Sequence, residues 1–317
     1  MLRRVVAGLA ILLAVVAVAV TLLPLSPSSA WWVRMWEFPR QHVAIGAVVT
    51  ALLAAALPSG PRGLTVVAML VVAGWQASWV WPHMPWAEET VPIEDGAGAR
   101  IVSLNVLQDN DDHAAVRAYL RDADADVLLL METDAVWAEA LAPVLDAYPH
   151  RIDWIADDYY GMIFVTRLEP DRLEMADLGD GSTPAAVAVL RHDGRPFVVT
   201  GLHPRPPVPG TSTQERDAQI AMAATLADRS DLPAVTVGDF NDVSWSRAGQ
   251  RFREVGGYAD PRVGRGILAS FAADSWWMKF PIDQGLVTDD VRLHRFGLGP
   301  EVGSDHLPVE MEVSVRP

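Results

Sequence analysis

The stretch AVTVGDFNDVS, residues 234 to 244, begins as a buried strand and ends in acid. Ala234, Val235, Thr236 and Val237 suit a pleated interior. Gly238 then breaks the run, and Asp239, Asn241 and Asp242 follow at once. Gly, Asp and Asn are ordinary turn residues, so one reading is a plain turn. The other is a site carried at a strand end, because Asp239 and Asn241, two apart on an extended chain, point the same way. The rest of the chain decides between them.

Upstream, ARIVSLNVLQDN reads as a strand ending in polar residues, and DDHAAVRAYLRDADA as a helix capped by Asp111 or Asp112. DVLLLMETD is a second buried strand with an acidic end, and AVWAEALAPVLDAY a second helix despite Pro143. Strand, helix, strand, helix is the order of an α/β layer. HRIDWIA, GMIFVTR and AAVAVLRHDGRPFVVTGLHP are then β-like, with Asp193-Gly194 turning a hairpin. TSTQERDAQIAMAATLADRS reads as a helix with a Ser212–Glu215 capping box, and SWSRAGQRFREV as another. PIDQGLV, VRLHRF and SDHLPVEMEVSV close the chain as strands.

One habit recurs: apolar strands end in residues of catalytic type. SLN ends in Asn105, LLLMETD holds Glu132, VVTGLH ends in His203, and VTVGDFN supplies Asp239 and Asn241. PID supplies Asp283, and GSDH supplies Asp305 and His306. Each alone has an ordinary explanation as cap, turn or surface residue; six such places in one domain point to a shared edge. Asp109, Asp134 and Asp242 flank the motifs and are expected to be surface charge.

The ordered set SLN, ETD, LHPRPP, GDFND, PID and GSDHLPV resembles the endonuclease/exonuclease/phosphatase superfamily with its deoxyribonuclease-I-like fold. The resemblance implies a four-layer α/β/β/α sandwich, two packed mixed β-sheets with outer helices. It implies hydrolysis of phosphate esters or anhydrides with a divalent metal, Mg²⁺ or alternatively Mn²⁺. Glu132 is the implied metal ligand, with Asp305 and Asn105 supporting it or binding through water. Asp239 fits the group that orients or deprotonates the attacking water, and Asn241 and His203 fit donors to phosphate oxygens. His306 beside Asp283 would be a carboxylate-held imidazole, acting as base or as transition-state clamp. Arg205 is a further candidate for a phosphate oxygen.

Residues 1–82 are of another kind. Residues 5–25 form an unbroken apolar run behind Arg3 and Arg4, and shorter runs cover 43–57 and 64–80. A membrane-crossing helix needs roughly 20 apolar residues. Tryptophans crowd the run ends, at Trp31, Trp32 and Trp36 and at Trp75, Trp79, Trp81 and Trp86, as they do at headgroup level. About three hydrophobic helices are therefore expected, unless SPSSA before Trp31 marks a cleaved signal. Arg3, Arg4 and Arg62 favour the cytoplasmic side, so a multi-pass cell-membrane protein is expected, with its catalytic domain outside the cytoplasm. Residues 83–98, rich in Pro, Gly and acid, read as a linker to a domain at 99–317.

The net charge is −15, and residues 1–95 hold as many basic as acidic residues, so the excess sits on the exported domain. Nucleic-acid binders need basic surface, so long DNA or RNA is disfavoured, although Arg251, Arg253, Arg262 and Arg265 are close enough in sequence to form a local groove. Cysteine is absent, which excludes disulfides, thiolate metal sites and cysteine nucleophiles. An N-terminal hydrophobic region before such a domain resembles the membrane-anchored teicoplanin-resistance proteins. That likeness implies a phosphorylated cell-envelope lipid as substrate, such as a polyprenyl pyrophosphate, and a link to antibiotic resistance. A surface-anchored nuclease or phospholipase-type phosphodiesterase, and a non-catalytic sensing module, are the alternatives. Against the last, every motif position is filled. No oligomeric state follows from the sequence.

Overall fold

The computed structural model describes residues 2–56, 62–179, 183–228 and 231–316. The Arg3 and Arg4 side chains, and residues 57–61 between the second and third apolar runs, lie outside the described residues.

Four helices come first: α1 (Leu2–Leu22), the short α2 (Trp31–Arg34), α3 (Arg40–Ala55) and α4 (Arg62–Val80). The domain then runs β1 (Ala99–Asn105), α5 (His113–Ala123), β2 (Val127–Met131), α6 (Ala135–Leu145), β3 (His150–Trp154) and β4 (Met162–Thr166). It continues through β5 (Glu169–Asp177), β6 (Pro184–His192), β7 (Arg195–Leu202), α7 (Gln214–Asp228), β8 (Ala234–Asp239) and α8 (Arg247–Gly256). It ends with β9 (Tyr258–Ala259), β10 (Asp283–Thr288), β11 (Val291–Leu298) and β12 (Val309–Val315).

Two six-stranded mixed sheets result, ordered β11-β12-β1-β2-β4-β3 and β5-β6-β7-β8-β10-β9. Each has one parallel pair at its centre, β1 with β2 and β7 with β8. Between the sheets lie Ile101, Leu129 and Phe164 from one and Val199, Val235 and Val237 from the other. Val116, Leu120, Trp137 and Leu141 of α5 and α6 cover the outer face of the first sheet. Ile220, Ala224 and Phe252 of α7 and α8 cover the second. The four-layer expectation holds.

Local signals explain most boundaries. Asp112 caps α5 by accepting from Ala115 N, and Ser246 caps α8 by accepting from Gly249 N. Asp193 and Gly194 both take positive φ, 51° and 76°, as a two-residue hairpin turn of primed type requires. Ser212 accepts from Gln214 N, one residue short of the expected capping box with Glu215. β5 had no sequence signal: it is an edge strand with a largely solvated pattern, so no apolar run marks it.

Gly238 shows why the GDFN motif needs its glycine. It takes φ of 136°, and a Cβ there would lie 2.0 Å from the Leu202 carbonyl oxygen. The backbones of β7 and β8 meet where the chain turns from core to site. Gly238→Ala is expected to destabilise the domain by about 3 kcal/mol, a fall of roughly 6–12 °C in thermal midpoint. Differential scanning calorimetry reads this directly, and an unchanged midpoint would refute the close approach.

In the N-terminal region two helical segments, Val5–Leu25 and Arg62–His83, are long and apolar enough to cross a membrane. Trp31–Glu37 and Arg40–Ala55 pass the same test only together and are bent by 75°. α3 alone is 16 residues, which spans about 24 Å against a hydrocarbon core of about 30 Å. Small residues let the helices approach, with Ala14, Ala47, Ala51 and Ala73 packed around Met69 and Val72. Leu12, Leu52, Leu64 and Val71 face outward.

This region is joined tightly to the domain. Trp245 Nε1 donates to the Glu37 carbonyl at 2.7 Å. Val80, Val243, Trp245, Phe280 and Ile282 form a small core, with Phe38, Trp79 and Met84 against it. Residues 83–98 lie along the domain rather than standing off it. His83 is buried beside Asp260, Glu94 N donates to the Leu293 carbonyl at 2.8 Å, and Glu89 pairs with Arg265 at 2.5 Å.

Candidate active site

The strand ends converge as the sequence suggested. β8 and β10 are antiparallel with Asp239 directly opposite Asp283, so two carboxylates meet at one end of the second sheet. Like charges in that position repel, and His306 lies between them. Its Nδ1 is 2.8 Å from Asp283 Oδ2 and its Nε2 is 3.7 Å from Asp239 Oδ2. All three are buried.

Across the sandwich, β1 and β2 deliver Asn105 and Glu132. Asn105 Nδ2 donates to Glu132 Oε1 at 2.8 Å and to Asp239 Oδ2 at 3.2 Å, while its Oδ1 accepts from Leu107 N. Asn105 thus ties the carboxylates of the two sheets together. Glu132 and Asn241 both hold left-handed backbone, φ 61° and 49°. Non-glycine residues there cost about 1–3 kcal/mol each and cluster at functional sites. The Asn241 N–H donates to Asp239 Oδ1 at 2.8 Å, and its Nδ2 donates to the Pro204 carbonyl at 3.0 Å.

These groups face a cavity of about 330 Å³, lined by Glu132, His203, Asp239, Asn241, Asp305 and His306, and walled by Phe38, Tyr159, Tyr160, Pro206, Pro207, Phe271 and Ile282. Asn105 and Asp283 stand behind the lining through their hydrogen bonds. Arg205 is stacked 4.4 Å over the Tyr160 ring, which in turn lies 5.6 Å from the His203 ring. The structure therefore brings all nine sequence-nominated residues into or against one site.

The electrostatics divide the site in two. Burial works to lower the His306 pKa, but Asp283 and Asp239 outweigh it and push it up to about 10. His306 is a cation here, and its charge holds Asp283 below the usual carboxylate range against the effect of burial. Burial raises Asp239, and the Asp283 charge adds to that. Burial lowers His203, leaving it neutral. On the other side burial raises Glu132 and Asp305, and Asp305 raises Glu132 further. Asp305 Oδ1 is buried with no hydrogen-bond partner among the described residues.

Glu132 and Asp305 are half-buried at the cavity, with His203 at 4.0 Å and His306 at 3.9 Å as their ring neighbours. Two carboxylates, one with an orphaned oxygen, fit a hard divalent cation. Asp239, Asp283 and His306 also bring one ligand atom each within 4.8 Å of one another. In that trio the Nδ1 of His306 is engaged by Asp283.

Two expectations need correction. Asp242 is not surface charge: it is buried against Arg216 at 3.1 Å, and burial pushes it up to about 7 against the pull of that arginine. Arg216 also donates to the Asn241 carbonyl at 2.9 Å, so this buried pair braces the motif loop. Asp134 is the N-cap of α6, accepting from Trp137 N, whereas Asp109 is exposed. The proposed basic groove does not form either. Arg262 is buried on Gln284 and the Asp283 carbonyl, Arg265 is tied to Glu89, and Arg253 bonds the Ser244 carbonyl.

A family model described as the endonuclease/exonuclease/phosphatase family matches residues 102–306. No curated protein matches the chain. Among solved structures, a humanized D. rerio TDP2 aligns with TM-score 0.58 at 16% identity, over 69% of this chain and 100% of that one. An endonuclease/exonuclease/phosphatase from Bacteroides vulgatus gives 0.58 at 17%, over 70% and 100%. The Bacteroides thetaiotaomicron mannosyl-6-phosphatase gives 0.56 at 16%, over 68% and 99%. At such identities the likeness is one of fold.

Proposed function

The chain belongs to the endonuclease/exonuclease/phosphatase family, whose members hydrolyse phosphoesters, and from that premise we propose a Mg²⁺-dependent, membrane-anchored phosphohydrolase acting on a phosphorylated cell-envelope lipid. The observation that carries the chemistry is the site's two groups, with half-buried Glu132 and Asp305 in one and the buried Asp283–His306–Asp239 chain in the other. The observation that carries the substrate class is Phe38, which comes from the apolar N-terminal region and walls the cavity.

Glu132 and Asp305 would hold the cation, with Asn105 orienting the Glu132 carboxylate through Nδ2 rather than ligating. When bound, the cation supplies neutralisation of charge on the phosphoryl oxygens and the leaving group. Asp239 takes a proton from the attacking water, as its burial-raised pKa suits. Asp283 fixes the His306 ring through Nδ1, leaving Nε2–H to hydrogen-bond a phosphoryl oxygen whose charge grows in the transition state. The N–H of Asn241 Nδ2 not taken by Pro204, and neutral His203, are the further donors. Arg205, 4.4 Å over the Tyr160 ring, is the candidate for a phosphate oxygen.

The helices α1, α3 and α4 read as a multi-pass anchor with the domain on the extracytoplasmic side, in keeping with the resemblance to teicoplanin-resistance proteins. The engagement of Arg253, Arg262 and Arg265 in contacts within the protein weighs against a nuclease. Plasmid nicking measured across salt concentrations tests this: a nuclease loses binding steeply with salt. Efficient nicking at low salt, with lipid phosphates untouched, would overturn the lipid reading.

The metal assignment has its own test. Glu132→Gln is expected to raise the Mg²⁺ concentration for half-activation by at least about 10–100-fold, the cost of losing even a group that only supports a ligand. Titration of activity with Mg²⁺ measures it, and an unchanged midpoint would remove Glu132 from the metal site.

A further inference from the structure

Between Phe271 and Phe280 the chain leaves the domain and returns, closed at its base by an antiparallel backbone bridge. Its tip carries Trp276, 91% exposed, and Trp277, 55% exposed. Two adjacent bare indoles are out of place on a water-facing loop. Within the tip, Ser275 Oγ accepts from Met278 N at 2.9 Å.

Its surroundings say what covers it. The Trp277 carbonyl lies 2.6 Å from His42 Nε2, in the first turn of α3, and the two rings are 6.1 Å apart. The tip therefore stands at the level where α3 begins. Trp32 and Trp81, also more than half exposed, mark the same ends of the neighbouring helical segments. Indole collects at headgroup depth because it is apolar in body and polar at one edge. The base of the loop reaches the chemistry: the Phe271 ring is 4.9 Å from the His306 ring, and the Phe280 ring 5.7 Å from that of Phe38.

We infer that the Asp274–Met278 tip is a bilayer-docking element that seats Trp276 and Trp277 among lipid headgroups. It holds the cavity mouth against the leaflet that supplies the substrate. This rests on the reading that α1, α3 and α4 stand in a bilayer. A phosphorylated lipid then enters sideways, its headgroup passing Phe38 while its tail stays in the membrane.

The absence of cysteine allows one environment-sensitive fluorophore per molecule. Asp274→Cys keeps both indoles; Val67→Cys, on the outward face of α4, and Val136→Cys, on α6, are references. Each labelled full-length protein is placed in phosphatidylcholine–phosphatidylglycerol vesicles with spin labels at headgroup or deep-chain positions. The position-274 probe is expected to shift to the blue and be quenched mainly by the headgroup label, the position-67 probe mainly by the deep label, and the position-136 probe by neither. A position-274 probe that behaves like position 136, while position 67 is quenched, overturns the docking inference alone. An unquenched position 67 overturns the membrane reading beneath it. A position-274 shift that follows protein dilution rather than lipid would place a second copy there and equally overturn the inference.

Discussion

Asp239→Asn lowers the rate of phosphoester hydrolysis by about 10³-fold and leaves the fold intact. The magnitude is that of a lost positioned base, about 10²–10⁴-fold. The substitution is isosteric and keeps one oxygen to accept from the Asn241 N–H, while its amide group takes the place of the second oxygen that accepts from Asn105 Nδ2, so one local bond is lost. It also removes one of two carboxylates set directly opposite in β8 and β10, relieving repulsion rather than creating it. The paired measurement is single-turnover product release and thermal midpoint. A rate within a few-fold of wild type would take the water-activating role away from Asp239.

Asp283→Asn produces the second large effect, and its signature lies in pH. His306 titrates near 10 in the folded protein, raised from 6.5 because Asp283 and Asp239 outweigh burial. A raised cationic group contributes stability that is fully present below its unfolded pKa and lost as pH rises through its folded one. In wild type that loss falls between about pH 6.5 and 10. Without Asp283, His306 keeps Asp239 at 3.7 Å and the partly exposed Asp305 at 3.9 Å, neither in hydrogen-bond range, and gives up its proton at lower pH. The alkaline limb of the pH–rate profile therefore moves toward neutrality, and the activity deficit deepens from acid to alkaline pH, reaching about 10²-fold. Breaking a buried pair also costs about 3–5 kcal/mol, so the thermal midpoint falls in the same variant. A rate loss equal at every pH would mean that Asp283 does not govern the protonation of His306.

Much of this was legible in the sequence because strand ends carry their chemistry locally. A run such as Val235–Thr236–Val237 followed by Gly238 and Asp239 announces both the buried strand and the exit from it. The pairing of Asp239 with Asp283 was not legible, since register between distant strands depends on the whole sheet. Asp242 looked like its neighbours in sequence, yet Arg216, 26 positions earlier, pulls it inside. Phe38 and Phe271 gave no signal either. Aromatic residues serve cores, walls and membrane interfaces alike; the seating of the N-terminal helices on the domain assigns Phe38 to the cavity, and the backbone bridge to His306 assigns Phe271. Residues 83–98 read as a free linker because Pro, Gly and acid dominate them, whereas backbone pairing with β11 and the bond between Glu89 and Arg265 lay them down.

The central claim is that a cation-dependent phosphohydrolase works on a lipid held in the membrane. It is tested most directly by phosphate release from a polyprenyl pyrophosphate in vesicles, with full-length protein, Mg²⁺ or chelator, and Asp239→Asn as the blank. Release that needs Mg²⁺ and disappears in the variant is the expected result. Intact lipid in the presence of Mg²⁺, with release from a soluble phosphodiester instead, would contradict it.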